Sequence, residues 1–263
     1  MNITNQRRQR FIDEMHYEKF RDQLGQYIKV ANERLSLPNL RQEAVGDFKW
    51  NLASNQLECL ILDYTAGSTI KRLKSNLLAI IDAFDTFIAQ EVRKPNEAAT
   101  LEITQLEAYV YVLWLLALAK LLGHDEQLPR IMTWINKNAE FNRHRDGLFE
   151  AVVQKLTGEA GAIERVLLHP DVYRPLAKTT VFAPEERPAL VKEFLDGWYK
   201  QMKPCYWHGT HTDKVGSSYF GYWAFEAALV TYLWDIDDSS YRDHLVYPKD
   251  LVDFSRTQDA SPP

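Results

Sequence analysis

Cysteine is scarce in this chain of 263 residues: Cys59 and Cys205 are the only two, far apart and outside any metal-type spacing. A secreted domain held together by disulfides would carry more, so the reducing cytoplasm is the expected setting. Long apolar runs are missing as well. The most apolar stretch, Ala108 to Ala119, covers twelve residues between Glu107 and Lys120, whereas a bilayer-spanning helix needs roughly 20. That run reads as a buried core helix, and no membrane association is expected. The N-terminal MNITNQRRQRF has no apolar h-region after its positive charges, so no signal peptide is expected. There is no Walker loop, no G-x-G-x-x-G after a strand, no G-x-S-x-G elbow and no Cys pair for zinc. Enzyme classes that depend on those devices therefore have nothing to stand on.

The residues that are present describe a globular protein. A hydrophobic fraction of 46% and a charged fraction of 25% exclude general disorder. Seven Trp and thirteen Tyr predict a bulky interior. The net charge of −5 is unevenly placed: residues 184–254 hold twelve acidic and seven basic side chains, so the whole excess lies there. An acidic region repels nucleic acid and suits a basic protein partner.

Apolar spacings of three and four recur, and strand-like alternation does not, which predicts an all-α fold: a two-part antiparallel bundle or stacked helical hairpins. A first helix is expected from Gln6 to Leu35, with Phe11, Met15, Phe20, Leu24, Tyr27, Ile28 and Ala31 as its buried stripe, ending before Pro38. A less regular piece follows, with Trp50, Leu57, Leu60 and Ile61. Ser68 reads as the N-cap of a helix reaching Arg93. Thr104 and Glu107 fit a capping box at the head of the apolar run, which would end at Gly123. Shorter helices are expected over Glu126 to Asn138 and Gly147 to Leu156.

Gly158, Gly161, Pro170, Pro175 and Pro184 punctuate the next stretch. The expected division is therefore an N-terminal helical region over 1–157, a connecting segment over 158–183, a C-terminal helical region over 184–254 and a flexible tail over 255–263. A helix opening at Pro184, Glu185 and Glu186 should run to Met202. Another, from Tyr219 to Trp234, is apolar on nearly all sides, and a short one surrounds Asp250.

Three constellations invite chemistry. His208 and His211, followed by Asp213, read either as partner contacts or as the start of a metal site. They are spaced i, i+3 across a glycine, unlike the i, i+4 helical pair of zinc proteases. Asp235, Asp237, Asp238 and Asp243 read as a solvated turn or as an electrostatic patch for a basic partner; they lack the calcium-loop pattern. Glu226, inside an apolar stretch, reads as a hydrogen-bonded packing residue or as an acid of raised pKa. Neither a metal nor a cofactor is expected.

The segment Tyr219-Phe-Gly-Tyr-Trp-Ala-Phe-Glu-Ala-Ala, then Asp237-Asp-Ser-Ser-Tyr-Arg-Asp-His, then Tyr247-Pro-Lys-Asp-Leu-Val resembles the PoNe immunity (PoNi) family. The N-terminal half is similar to that family only in its general helical pattern. The resemblance implies an all-α, two-part protein that is no enzyme. It would bind and neutralise a cognate DNase toxin, such as an effector of type VI secretion, inside the producing cell, without touching nucleic acid itself. Gly221, Tyr222, Trp223, Phe225, Glu226, Tyr241, Tyr247, Pro248 and Asp250 carry over as motif positions and read as architecture. Toxin contacts are instead expected on Asp235, Asp237, Asp238, Asp243, His208 and His211. A homodimer is left open. The alternatives are a helical metal-dependent hydrolase using His208 and His211, and a general helical adaptor.

Overall fold

A computed structural model describes residues 3–159, 166–212 and 217–259. Every regular element among them is helical, as the periodicity predicts, and no helix among them is long and apolar enough to cross a membrane. The chain divides into two compact units.

The first unit comprises Met1–Arg93 and Gly209–Gly221. Its frame is three helices, α1 (Glu14–Leu35), α2 (Gln42–Thr65) and α3 (Ile70–Gln90). Short connections between long helices force antiparallel neighbours, and α2 packs against both α1 and α3. Helix α1 begins eight residues later than its stripe suggests. Asp13 is the reason: in extended conformation, its side chain accepts the His16 N–H at 2.8 Å and sets the start. Helix α2 replaces the expected irregular piece. Because it is covered on two sides, its apolar residues occupy no single stripe, and the 3.6 periodicity is blurred. The N-cap of α3 is Thr69, not Ser68; its side chain accepts the Arg72 N–H. Trp50 of α2 meets Phe84 and Phe87 of α3 at ring separations of 6.0 and 5.5 Å.

The second unit comprises Lys94–His208 and Tyr222–Pro263. It holds α4 (Leu106–Leu121), α5 (Leu128–Asn136), α6 (Ala139–Asn142), α7 (Gly147–Thr157), α8 (Pro170–Lys178), α9 (Arg187–Gln201), α10 (Phe225–Leu233) and α11 (Lys249–Asp259). Helix α4 is the apolar run, buried from Ala108 to Ala119. The capping box does not form. Gln105 stands at the N-cap without a side-chain bond, Thr104 donates to Glu102, and Glu107 accepts the backbone N–H of Tyr206 at 3.0 Å. Expected helix 219–234 is helical only from Phe225, because residues 219–224 form no regular element.

The division of the chain also differs from the expected one. The Gly/Pro-rich stretch between 157 and 184 is no boundary: it contains α8, with Pro170 in its first turn and Pro175 inside it, which packs on α9 and α7. A helix as apolar as α4 has to be covered on every side, and α5, α10 and α11 all pack on it. Residues from both sides of the stretch therefore share one core. The last helix runs to Asp259, past the point where a tail was expected to begin; Gly161 and residues 260–263 lie outside the described residues.

Two glycines mark opposite constraints. Gly67, between α2 and α3, has φ +97°, and a Cβ there would lie 2.2 Å from the Gln6 carbonyl oxygen. Gly197, inside α9, has nothing within 4 Å of the same position. Gly67→Ala should cost roughly 2–4 kcal/mol through strain and clash. Gly197→Ala should gain about 0.5–1 kcal/mol of helix stability. Urea unfolding of both variants checks the contrast; equal midpoints would contradict the packing at Gly67.

Candidate functional site

Glu226 lies in the first turn of α10 and is 1% exposed. Its Oε1 accepts the Trp198 indole N–H at 2.6 Å and the Tyr173 hydroxyl at 3.3 Å, while Oε2 is buried without a hydrogen bond of normal geometry. Burial pushes the carboxyl up to about 7. Its own backbone N–H at the helix start, then the Trp198, Tyr173 and Trp114 donors, hold it from rising further. Aromatic rings wall the group in: Trp198 stacks on Trp207 at 5.4 Å, Tyr173 on Phe194 at 5.6 Å, and Trp114 meets Phe225 edge-on at 5.8 Å. A carboxyl sealed from solvent in this way organises packing. No spacing in the sequence points to Tyr173 or Trp198 as its donors, since they stand 53 and 28 residues away.

The other motif residues lie in the same unit, except Gly221, which belongs to the first. Gly221 has φ +132°, a backbone conformation suited to glycine. Tyr222, Trp223 and Phe225 are buried. The Tyr241 hydroxyl pairs with the Thr231 hydroxyl at 2.9 Å, and its ring meets Tyr247 edge-on at 5.0 Å. The Pro248 carbonyl accepts the Leu251 N–H, starting the helix that carries Asp250 in its first turn.

The four acidic candidates separate. Asp235, at φ +48°, is fully exposed and stands 4.0 Å from Arg256. Asp237 is exposed and folds back on the Ser239 N–H and hydroxyl, and the Ser239 N–H holds its carboxyl below the usual range. Asp243 is exposed and pairs with Lys249 at 2.6 Å, which likewise lowers it. Asp238 departs from the expectation of a solvated loop carboxylate. It is 5% exposed and accepts from Arg242 at 3.0 Å and the Tyr247 hydroxyl at 3.1 Å, with Arg256 at 3.8 Å. It sits in the core of the turn because Tyr247, Arg242 and Arg256 converge on it.

His208 and His211 fall in different units. His208 stacks on Tyr199 at 4.3 Å within the second unit. His211 packs on Phe11 at 4.7 Å within the first. Asp213 lies outside the described residues. Among the described residues no group of three or more His, Cys, Asp or Glu is placed to hold a metal.

Two further buried acids give the sequence no signal. Asp146, fully buried, caps α7 through the Phe149 N–H at 2.9 Å and also accepts the Tyr109 hydroxyl and the Leu168 N–H, each at 2.8 Å. In the first unit Asp63 accepts the Tyr17 hydroxyl at 2.9 Å and Arg21 Nε at 3.2 Å. Burial, then the Asp63 charge, pushes the Tyr17 hydroxyl up to about 12. Burial also pushes the Cys59 and Cys205 thiols up to about 12, which makes them poor nucleophiles.

The state of Glu226 has a pH consequence. Its folded value of about 7 lies above the ordinary 4.5, so the folded chain holds this proton more tightly than the unfolded one. The group's contribution is then fully present below pH 4.5 and is lost as pH rises through 7, by about 3 kcal/mol. Glu226→Gln, neutral at every pH, should flatten the fall in stability between pH 5 and 8. Urea unfolding at both values checks this; parallel curves for the two proteins would count against it.

Residues 7–133 match the N-terminal part of PoNe immunity protein (PoNi), and residues 144–251 match the C-terminal part of PoNe immunity proteins (PoNi). No curated protein matches the chain. Among solved structures, the crystal structure of protein PA2201 from Pseudomonas aeruginosa is similar over 96% of this chain and 92% of that chain. The TM-score is 0.70 and the identity 19%; at that identity the likeness is one of fold alone. The two sequence matches take in nearly the whole chain, motif turn and buried carboxyl included, and the chain therefore belongs to the PoNe immunity protein (PoNi) family.

Proposed function

We propose that this chain is an immunity protein that binds a cognate DNase toxin, an effector of type VI secretion, and neutralises it in the cytoplasm of the producing cell. The observation that carries this reading is the pair of PoNi matches over residues 7–133 and 144–251. The physics of the partner supports it. A DNase has to present positive charge to phosphate, and an acidic protein competes for that surface or steers towards it. Exposed Asp235, Asp237 and Asp243 supply charge that acts over about 8 Å at physiological ionic strength. Over residues 235–256 six acidic side chains face three basic ones, so the turn stays negative despite its internal ion pairs.

The hydrolase alternative would put His208 and His211 on one metal. Each ring is instead packed on an aromatic of its own unit, so that reading gains no support from the geometry.

Co-expression of this chain with its cognate nuclease should rescue a cell that the nuclease alone kills; death in both cases would defeat the proposal. Asp235, Asp237 and Asp243 changed together to Asn should slow association with that nuclease several-fold at low salt and flatten its salt dependence. Asp238→Asn should behave differently, lowering stability by about 1–3 kcal/mol because its charged partners lose a buried acceptor. Surface plasmon resonance at two salt concentrations, beside urea unfolding, separates the two. A triple variant that associates as fast as wild type would leave the patch as a solvated turn.

A further inference from the structure

The three-helix unit holds a cleft that the acidic turn does not explain. Arg21 and Ile28 of α1 face Asn76 and Ile80 of α3 across a space of about 260 Å³ floored by α2. Gln56, Leu60 and Asp63 share one stripe of that floor, at i, i+4 and i+7. The two lining charges already answer each other, Arg21 on Asp63 at 3.2 Å, and Arg21 also donates to the Cys59 sulfur at 3.4 Å. Gln56 Oε1 is different: it is buried with no hydrogen-bond partner, the kind of acceptor that calls for an N–H or O–H.

Size and charge narrow the occupant. Pockets for drug-sized ligands run from about 300 to 1,000 Å³, and this space is smaller, on the scale of one large side chain. A third charge would meet an ion pair that is already neutral and would be left uncompensated. We propose that the cleft receives one neutral, donor-bearing aromatic side chain, Trp or Tyr, from the nuclease that this chain binds, with its N–H or O–H on Gln56 Oε1. The proposal rests on the immunity reading above. Ile28, Leu60 and Ile80 meet the apolar ring, and Gln56 meets its polar tip. Aromatic anchors seated in pockets of this kind carry a large share of the binding energy of protein interfaces.

The test uses the full chain and a catalytically inactive form of its cognate nuclease. Ala79→Leu, at a residue that lines the cleft on α3, narrows it with another good helix former, so it should melt close to wild type yet bind at least 100-fold more weakly. Gln56→Leu should weaken binding about 10-fold. If wild type binds and both variants bind within twofold of it, the cleft assignment is overturned while the immunity reading stands. If wild type neither binds nor protects, both fall. In the isolated chain, indole at millimolar concentration should shift the Gln56 side-chain amide resonances, and Ala79→Leu should abolish the shift. Methylguanidinium producing the shift in place of indole would overturn the choice of a neutral aromatic.

Discussion

A carboxyl taken out of water has to be met by donors, and at Glu226 those donors come from segments distant in sequence. Tyr173 on α8 and Trp198 on α9 both donate to an acid in the first turn of α10. Removing one donor would leave a buried acceptor short, at about 1–3 kcal/mol. The three helices are thereby fixed in register, and the stacked Trp and Tyr rings around them fill the space that remains. The same device recurs at Asp146, which joins the start of α7 to Tyr109 and to the backbone at Leu168, and at Asp63 in the three-helix unit. Buried acids thus serve as the points at which distant segments are tied together.

This divides the acidic residues by task. Asp238 is held by Arg242, Tyr247 and Arg256 inside its turn, whereas Asp235, Asp237 and Asp243 point to solvent. A formal count treats all four alike, but only exposed charge projects a field outward. In the proposed role, buried Asp238 keeps the turn rigid and the exposed acids guide a basic partner to it. Rigid presentation lowers the ordering cost of binding, which favours a tight, protective complex. The cleft beside Gln56 would add a shape-specific anchor in a different unit, and recognition would then not depend on charge alone.

Much of the fold is written in periodicity. α3 shows a clean stripe, with Leu73, Leu77, Ile80, Ile81, Phe84 and Phe87 buried, and α4 announces itself as a run that must be surrounded. α2 escapes the same reading because α1 and α3 both pack on it and its apolar residues fall into no single stripe. α8 is hidden by Pro170 and Pro175, which look like breakers but stand in a helix that packs on α9. The motif residues are legible as a set, although their spacing gives no hint that Glu226 waits on Tyr173 and Trp198.

The sequence by itself determined the helical class, the central burial of residues 108–119, the acidic bias of the C-terminal third and the family motif around Glu226, because each depends on composition or on residues close along the chain. Only the tertiary structure decided that α10 and α11 pack on α4, that residues 209–221 belong with the first three helices, that Asp238 is buried beside exposed Asp237, and that His208 and His211 part company. Those outcomes turn on which surfaces lose water against which neighbours, and desolvation is settled by contacts between residues tens to hundreds of positions apart.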